Sequence, residues 1–269
     1  MSTCPTTWPP LRCPPERAAT IPAEGTSLNL ETPARALAVA AHPDDVEFGC
    51  GATLSKWVRA GCQIHHLICT DGAKGSWDPD QDIAQLVLTR QEEQRTASRA
   101  LGGTGEVTFL GWPDGELEAG LRQRWQVAYW IRKIRPDVVL GHDPWRRYRL
   151  HPDHRNAGFL VTDAIVAARD PHFFPEQELA AHRPSALLLW EAEDPDHVED
   201  VADFAEAKLT GLLSHRSQFR STMNINESNA EKARDEIESF RSRVLARLSE
   251  HGQLGRVSLG EAFKLMSNL

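Results

Sequence analysis

The 269-residue sequence predicts an α/β fold: a Rossmann-like sandwich of three layers, its mostly parallel sheet covered by helices on both faces. Three observations predict it. Short apolar runs alternate along the chain with helical patterns, as in strand–helix–strand units. The runs are continuous rather than alternating in polarity, as expected of strands covered on both sides. And helix-end signals, Gly102 and Pro136, fall between the helical patterns and the next runs.

Residues 1–35 hold seven of the 17 prolines, with Thr and Ser between them. Such a stretch buries little and lacks periodicity, so it reads as an extended or disordered lead-in, and 36–269 as a single catalytic domain. Strands are expected at 36–41, 63–70, 106–110, 137–140 and 185–190. Helices are expected at about 49–60, 82–101, 118–134, 153–168 and 200–214. Gly102 suits the position just past a helix end, and Pro136 lies just beyond another. The last long helix has Ser228 and Glu231 spaced as a capping box. Its stripe of Ala230, Ala233, Ile237, Phe240, Val244 and Leu248 marks a packing helix without chemistry.

Composition narrows the function classes. With 41% hydrophobic and 25% charged residues the chain is globular, and a net charge of −8 argues against nucleic acid as the main partner. The longest apolar run, 36–41, is far too short to span a membrane, and no signal-peptide pattern opens the chain. Five cysteines without a CxxC pair fit neither a disulfide framework nor a Cys-based zinc site. They suggest a reducing, cytoplasmic setting. Cys50, Cys62 and Cys69 sit in apolar contexts and read as core. The pattern is compatible with a homo-oligomer.

After the first strand comes His42-Pro43-Asp44-Asp45-Val46-Glu47-Phe48-Gly49-Cys50-Gly51. A dinucleotide site would need a third Gly where Leu54 stands, and carboxylates in this turn repel a pyrophosphate but suit a cation. After the fourth strand come Gly141-His142-Asp143-Pro144-Trp145 and then His151-Pro152-Asp153-His154-Arg155. Pro152 suits the first helical position, which puts His151 at the cap and His154 one turn on, on the same side. Converging, the two turns supply His42, Asp45 and His154. Two imidazoles and a carboxylate, with a position left for water, form the catalytic zinc arrangement; Fe²⁺, Co²⁺ and Mn²⁺ accept the same donors.

The paired His-Pro-Asp motifs resemble those of the PIG-L/LmbE-like family of zinc-dependent de-N-acetylases. Further matches are Thr70-x-Gly72, Arg90-x-x-Glu93, Leu110-Gly111-Trp112-Pro113-Asp114-Gly115, and Lys208 with His215-x-Ser217-Gln218, so the resemblance spans roughly 35–220. It implies hydrolysis of an N-acetyl amide, most simply on an N-acetylglucosaminyl small molecule or glycoconjugate. An amidase of mycothiol-type thiol conjugates is the alternative, and a metal-dependent phosphoesterase a more distant one. It implies His42, Asp45 and His154 as metal ligands, Asp44 as general base, and His151 as oxyanion stabiliser or acid to the leaving amine. Asp153 would orient a His of its own motif and favour a charged His151. Arg90 and Glu93 share the apolar face of their helix, so they form either a buried ion pair or a wall of the site. The resemblance turns Arg90 toward substrate, with Glu93 holding it, and Asp114 toward sugar hydroxyls. The tract Arg146-Arg147-Tyr148-Arg149 suits an anionic substrate or a solvated basic loop.

Overall fold

A computed structural model of the chain describes residues 25–269. In chain order the elements are β1 (Ser27–Leu28), β2 (Arg35–Ala40), α1 (Asp45–Arg59), β3 (Gln63–Thr70), α2 (Ile83–Ala100), β4 (Val107–Trp112), α3 (Leu121–Ile134), β5 (Val138–His142), α4 (Pro152–Arg169), β6 (Ala186–Trp190), β7 (His197–Asp200), α5 (Ala205–Leu213), α6 (Ala230–Gly255) and β8 (Gly260–Ser267). Among the described residues they build one eight-stranded sheet in the order β1-β7-β8-β6-β5-β2-β3-β4. Every neighbouring pair is parallel except those of β8, which runs antiparallel to β6 and β7.

The strand order reverses beside β2: β3 and β4 extend the sheet on one side, β5 and β6 on the other. The carboxyl ends of β2 and β5 therefore lie side by side at a topological switch point. Each central strand is buried on both faces. Leu37, Val39 and Val139 pack under α3 and α4. Ala36, Ala38, Ala40 and Leu140 face the other way, toward Leu54 and Trp57 of α1. A third apolar cluster joins α1, α5 and α6 through Ala52, Leu209, Leu212, Phe240 and Val244.

Several boundaries differ from expectation for identifiable reasons. Helix α1 begins at Asp45 instead of about 49 and is broken at Cys50 (φ −147°). Beyond the break, Ala52 N–H and Thr53 N–H donate to Glu261 at 3.2 and 2.7 Å. Lys208 donates to Phe48 O at 2.7 Å and to Glu261 at 2.6 Å, so one buried ion pair satisfies both sides of the break. The expected capping box is absent: Asn229 caps α6, its Oδ1 accepting from Glu231 N–H and Lys232 N–H at 3.0 Å. Strand β7 is too short and β8 too mixed in polarity to stand out in the sequence. The lead-in expected over 1–35 lies outside the described residues up to 24. Of the rest, Ser27–Leu28 pairs with β7. Cys50, Cys62 and Cys69 are free and buried; burial raises the Cys62 thiol to about 11 and the Cys69 thiol to about 12.

One titration couples α6 to the sheet. His251 Nδ1 accepts from Ala262 N–H at 3.3 Å, which requires an unprotonated nitrogen. Burial, helped by the Arg247 charge, lowers its pKa from 6.5 to about 4. The folded state thus binds fewer protons than the unfolded one between these values. The contribution of His251 is complete above pH 6.5, declines as the pH falls to 4 and is constant below. Between pH 7 and pH 5 the parent should lose on the order of 2 kcal/mol more unfolding free energy than His251→Gln. Urea denaturation at both pH values checks this, and parallel losses in the two proteins contradict it.

Candidate active site

The site begins with a strained turn. The chain leaves β2 through His42 and Pro43 and enters α1 with Asp44 in the left-handed region, φ 99°. Asp tolerates this conformation better than most residues, yet it costs about 1–3 kcal/mol and persists only where the surroundings hold it. Here Asp44 N–H donates to Gln94 Oε1 at 2.9 Å, and Arg90 donates to Pro43 O at 2.7 Å and to Gly72 O at 2.8 Å. Since a backbone N–H only donates, the Gln94 amide is fixed, and its nitrogen donates to Glu47 at 2.8 Å. Glu47 in turn lies 3.1 Å from His215 Nε2, and the carboxylate keeps that imidazole's pKa raised despite burial.

Because of the turn, the adjacent carboxylates diverge. Asp45 points toward the end of β5; Asp44 faces Arg90, 3.6 Å away. Burial raises the Asp44 pKa from 3.8 to about 6, with Arg90 opposing. Helix α4 brings the second motif in, with His151 at its N-cap and Pro152 at its start. A Cβ on Gly158 would meet His142 O at 2.6 Å, so only Gly lets α4 press this closely on the end of β5.

His42 Nδ1, His154 Nε2 and Asp45 then converge. The nitrogens are 3.2 Å apart, His42 Nδ1 is 3.3 Å from Asp45 Oδ2, and His154 Nε2 is 3.3 Å from Asp45 Oδ1. Tetrahedral ligands about 2.0–2.1 Å from a zinc ion are themselves about 3.3 Å apart, so the donor set fits. His42 Nε2–H donates to Asp153 Oδ2 at 3.0 Å and lies 3.1 Å from Asp114 Oδ1, which leaves Nδ1 as the lone-pair nitrogen. Two further groupings could hold an ion, His42–Asp114–His151 and His142–His154–Glu191. Their donors are engaged elsewhere: His42 Nε2 by carboxylates, and Glu191 by Arg149 and Arg146.

Asp153 orients His42 of the other motif, not a His of its own, and is itself fixed by Gly115 N–H and Leu117 N–H at 2.6 and 3.2 Å. His151 stacks on His154, ring centroids 4.7 Å apart, and meets His42 edge-on at 4.6 Å. Burial and these two imidazoles outweigh Asp153 and lower the His151 pKa, against the expected charged form. Asp114 accepts from Lys74 N–H; burial opposes its ionisation, but His42 above all holds its carboxyl near about 2. Arg90 lines the cavity but is pinned by main-chain carbonyls. Glu93 does not hold it: that carboxylate accepts from Ser217 N–H and Oγ–H at 2.8 and 2.6 Å. Each arginine of the basic tract has a carboxylate partner, Arg146 and Arg149 sharing Glu191 and Arg147 on Glu193, which leaves the tract one positive charge in excess. Tyr148 is 88% exposed.

His142 stands in a motif at the end of β5 that in the sequence alone carries no role for it. Its Nδ1 accepts from Trp190 Nε1–H and from Arg149 Nη1–H, both at 3.0 Å. Neither group can accept, so the proton sits on Nε2 and points to Asp45 Oδ2 at 3.2 Å. Ala41 N–H, 3.4 Å from the same nitrogen, is too distant to compete. Burial lowers the ring's pKa to about 4, which keeps it neutral at pH 7. With His42 N–H also donating to Asp45 Oδ2 at 2.8 Å, this oxygen is occupied and Oδ1 is turned to His154.

The chain is similar to known deacetylases in sequence and in fold. Residues 37–165 match the family described as PIG-L, GlcNAc-PI de-N-acetylase. Diacetylchitobiose deacetylase of Thermococcus kodakarensis is 35% identical over 188 residues, 69% of this chain and 70% of that one. A 1D-myo-inositol 2-acetamido-2-deoxy-alpha-D-glucopyranoside deacetylase of Streptomyces avermitilis is 31% identical over 166 residues, 53% of this chain and 56% of that one. Among solved structures, N,N'-diacetylchitobiose deacetylase from Pyrococcus horikoshii with its inhibitor MPG aligns with a TM-score of 0.78 and 28% identity, over 87% of this chain and 84% of that one. Fold and site together define an amide hydrolase. The chain belongs to the PIG-L family of de-N-acetylases.

Removing the Nε2–H of His142 should loosen Asp45. His142→Leu is expected to weaken Co²⁺ or Zn²⁺ binding about 10–100-fold, with His142→Gln, which keeps an N–H donor, recovering part of it. Titration of the metal-free proteins checks this, with their thermal midpoints as the control for folding. Unchanged affinity in His142→Leu contradicts it.

Proposed function

We propose that the chain is a zinc-dependent de-N-acetylase that removes acetate from an N-acetylglucosaminyl small molecule or glycoconjugate, its one catalytic domain being the expected 36–269 extended back to β1. The observation that carries the reading is the convergence of His42, Asp45 and His154 with a second, diverging carboxylate, Asp44, in the same cavity. The relatives act on acetamido sugars, which supports the substrate class. The three free cysteines among the described residues support a cytoplasmic location. No helix among these residues is long and apolar enough to cross a membrane.

His42, Asp45 and His154 would hold the ion. When bound, it supplies a water of pKa near ~7 and polarises the acetyl carbonyl. Asp44, which faces Arg90 and belongs to none of the ligating groups, would take the proton of the attacking water and return it to the leaving amine. His151, at the mouth of the site, donates to the oxyanion as charge develops on it. Asp153 and Asp114 keep His42 turned so that Nδ1 faces the ion. Asp114 borders the cavity and receives a sugar hydroxyl. Arg90 acts through the turn, holding Asp44 in place.

Acetate release from a panel of N-acetylglucosaminides, with and without chelator, tests the reading. Zinc-restored release from at least one is expected, and none from any would refute it. His42→Ala and His154→Ala should lose both metal and activity. His151→Ala should keep its metal while kcat falls about 10²–10³; a kcat within a few-fold of the parent would restrict His151 to packing against His42 and His154.

A further inference from the structure

The active-site cavity, about 740 Å³, runs from the metal-ligating group to Arg243 and Arg247 on the flank of α6. A second cavity, about 440 Å³, shares no lining residue with it. It lies at the edge of the sheet, between Trp112 at the end of β4, the first two turns of α3 and the 174–176 segment beyond α4. Trp112, Trp125 and Phe174 are each half-buried and Leu121 is 66% exposed, so their apolar surface is open to a ligand.

The wall of this groove is held from behind. Phe174 sits in the left-handed region, φ 52°, which a bulky aromatic residue rarely adopts, and Glu178 follows at φ 54°. Arg132, 3% exposed, fixes the segment. Its guanidinium donates to Phe173 O at 2.8 Å, to Phe174 O at 3.3 Å, to Asp170 O at 2.9 Å and to Gln177 Oε1 at 2.9 Å. Gln177 links the segment to α3, its Nε2–H donating to Trp125 O at 2.8 Å. Strain of this kind persists only where the surroundings over-determine it, and it clusters where ligands are held.

The two indoles are fixed at their polar edges. Trp112 Nε1–H donates to Gln126 Oε1 and Trp125 Nε1–H to Glu176 Oε1, both at 2.7 Å. The Trp125 ring also lies on Tyr129, with centroids 5.7 Å and planes 7° apart. The Gln126 amide nitrogen and the second Glu176 oxygen then have no hydrogen-bond partner among the described residues. Arg122, its guanidinium 5.8 Å from the Trp112 ring centroid, makes no hydrogen bond or ion pair among them either. The rim thus offers donors from Gln126 and Arg122, an acceptor from Glu176, and one charge of each sign. That balance favours neither an anion nor a cation. It suits a neutral ligand whose groups both donate and accept, as adjacent hydroxyls do. The C–H faces of a pyranose ring in turn suit indole faces, whose π surface carries partial negative charge. An apolar pocket with a few convergent polar groups is the usual form of a small-molecule site.

We propose that this groove is a second, non-catalytic site that binds a neutral saccharide, its ring lying on Trp112 and Trp125 and its hydroxyls bonded to Glu176, Gln126 and Arg122. The site uses none of the residues assigned to the reaction, so its test does not depend on that reading.

The test is saturation-transfer NMR on the zinc-loaded full chain. The probes are cellobiose, maltose and lactose, neutral pairs of hexose rings without the acetamido group that the proposed reaction requires. At least one should bind, and its Kd should weaken about tenfold in Trp125→Ala and in Glu176→Ala. Acetate release from N-acetylglucosaminides, measured in parallel, should be unchanged in both variants. Should Trp125→Ala fold poorly, Glu176→Ala, changed at an exposed side chain, gives the reading alone. No binding of any probe, or equal Kd in the parent and the variants, would overturn the site. So would a fall in molar mass by light scattering in either variant at an unchanged thermal midpoint, which would make the groove a contact between copies of this chain.

Discussion

The site depends on one backbone constraint: Asp44 held at positive φ between a buried strand and the first turn of α1. Two carboxylates adjacent in a regular helix or strand cannot both reach one ion-sized space with different orientations. The left-handed residue makes that separation. It turns Asp45 toward the end of β5, where His142 and the His42 amide occupy one of its oxygens, and leaves Asp44 facing Arg90. The strain is offset by hydrogen bonds rather than by packing. Arg90 clamps Pro43 O and Gly72 O, and Gln94 receives the Asp44 amide.

That clamp reaches into the interior. Gln94 is fixed by Glu47, and Glu47 by His215, so a chain of buried polar groups from α2, α1 and the segment after α5 sets the position of a single backbone N–H. Breaking a buried chain of this kind is costly, because each partner removed leaves another polar group unpaired; Arg90 Nε and His215 Nδ1 already have no hydrogen-bond partner among the described residues. The opposite side of the site is organised the same way, with Trp190 and Arg149 fixing the tautomer of His142. Both arrangements require the switch point of the sheet, because only there do the ends of β2 and β5 lie side by side with a helix arriving over them.

Much of this was legible in the sequence because it is local. Continuous apolar runs mark buried parallel strands, and a His-Pro-Asp turn after such a run places its side chains at the carboxyl edge whatever the rest of the chain does. The ligand trio follows from two such turns. What was not legible is tertiary. Asp153 sits one residue from His154 yet serves His42, because α4 presents it across the cavity to the other motif. Glu93 shares a helical face with Arg90, yet it bonds to Ser217, which enters from a distant segment. His142 follows a strand in a suggestive motif, but its role depends on Trp190 and Arg149, 48 and 7 residues away. The α6 stripe was read correctly as apolar. That its flank borders the cavity depends on where β8 carries the chain back into the sheet.

The central claim is that the turn assigns different duties to neighbouring carboxylates. It is tested most directly by metal binding to Asp44→Asn and Asp45→Asn, measured on metal-free protein with activity in parallel. Asn tolerates the left-handed conformation, so the first variant keeps the turn and changes only the proton acceptor. It should bind zinc as the parent does while kcat falls about 10²–10⁴, and Asp45→Asn should bind zinc poorly. Loss of zinc from Asp44→Asn with retention by Asp45→Asn would contradict the account.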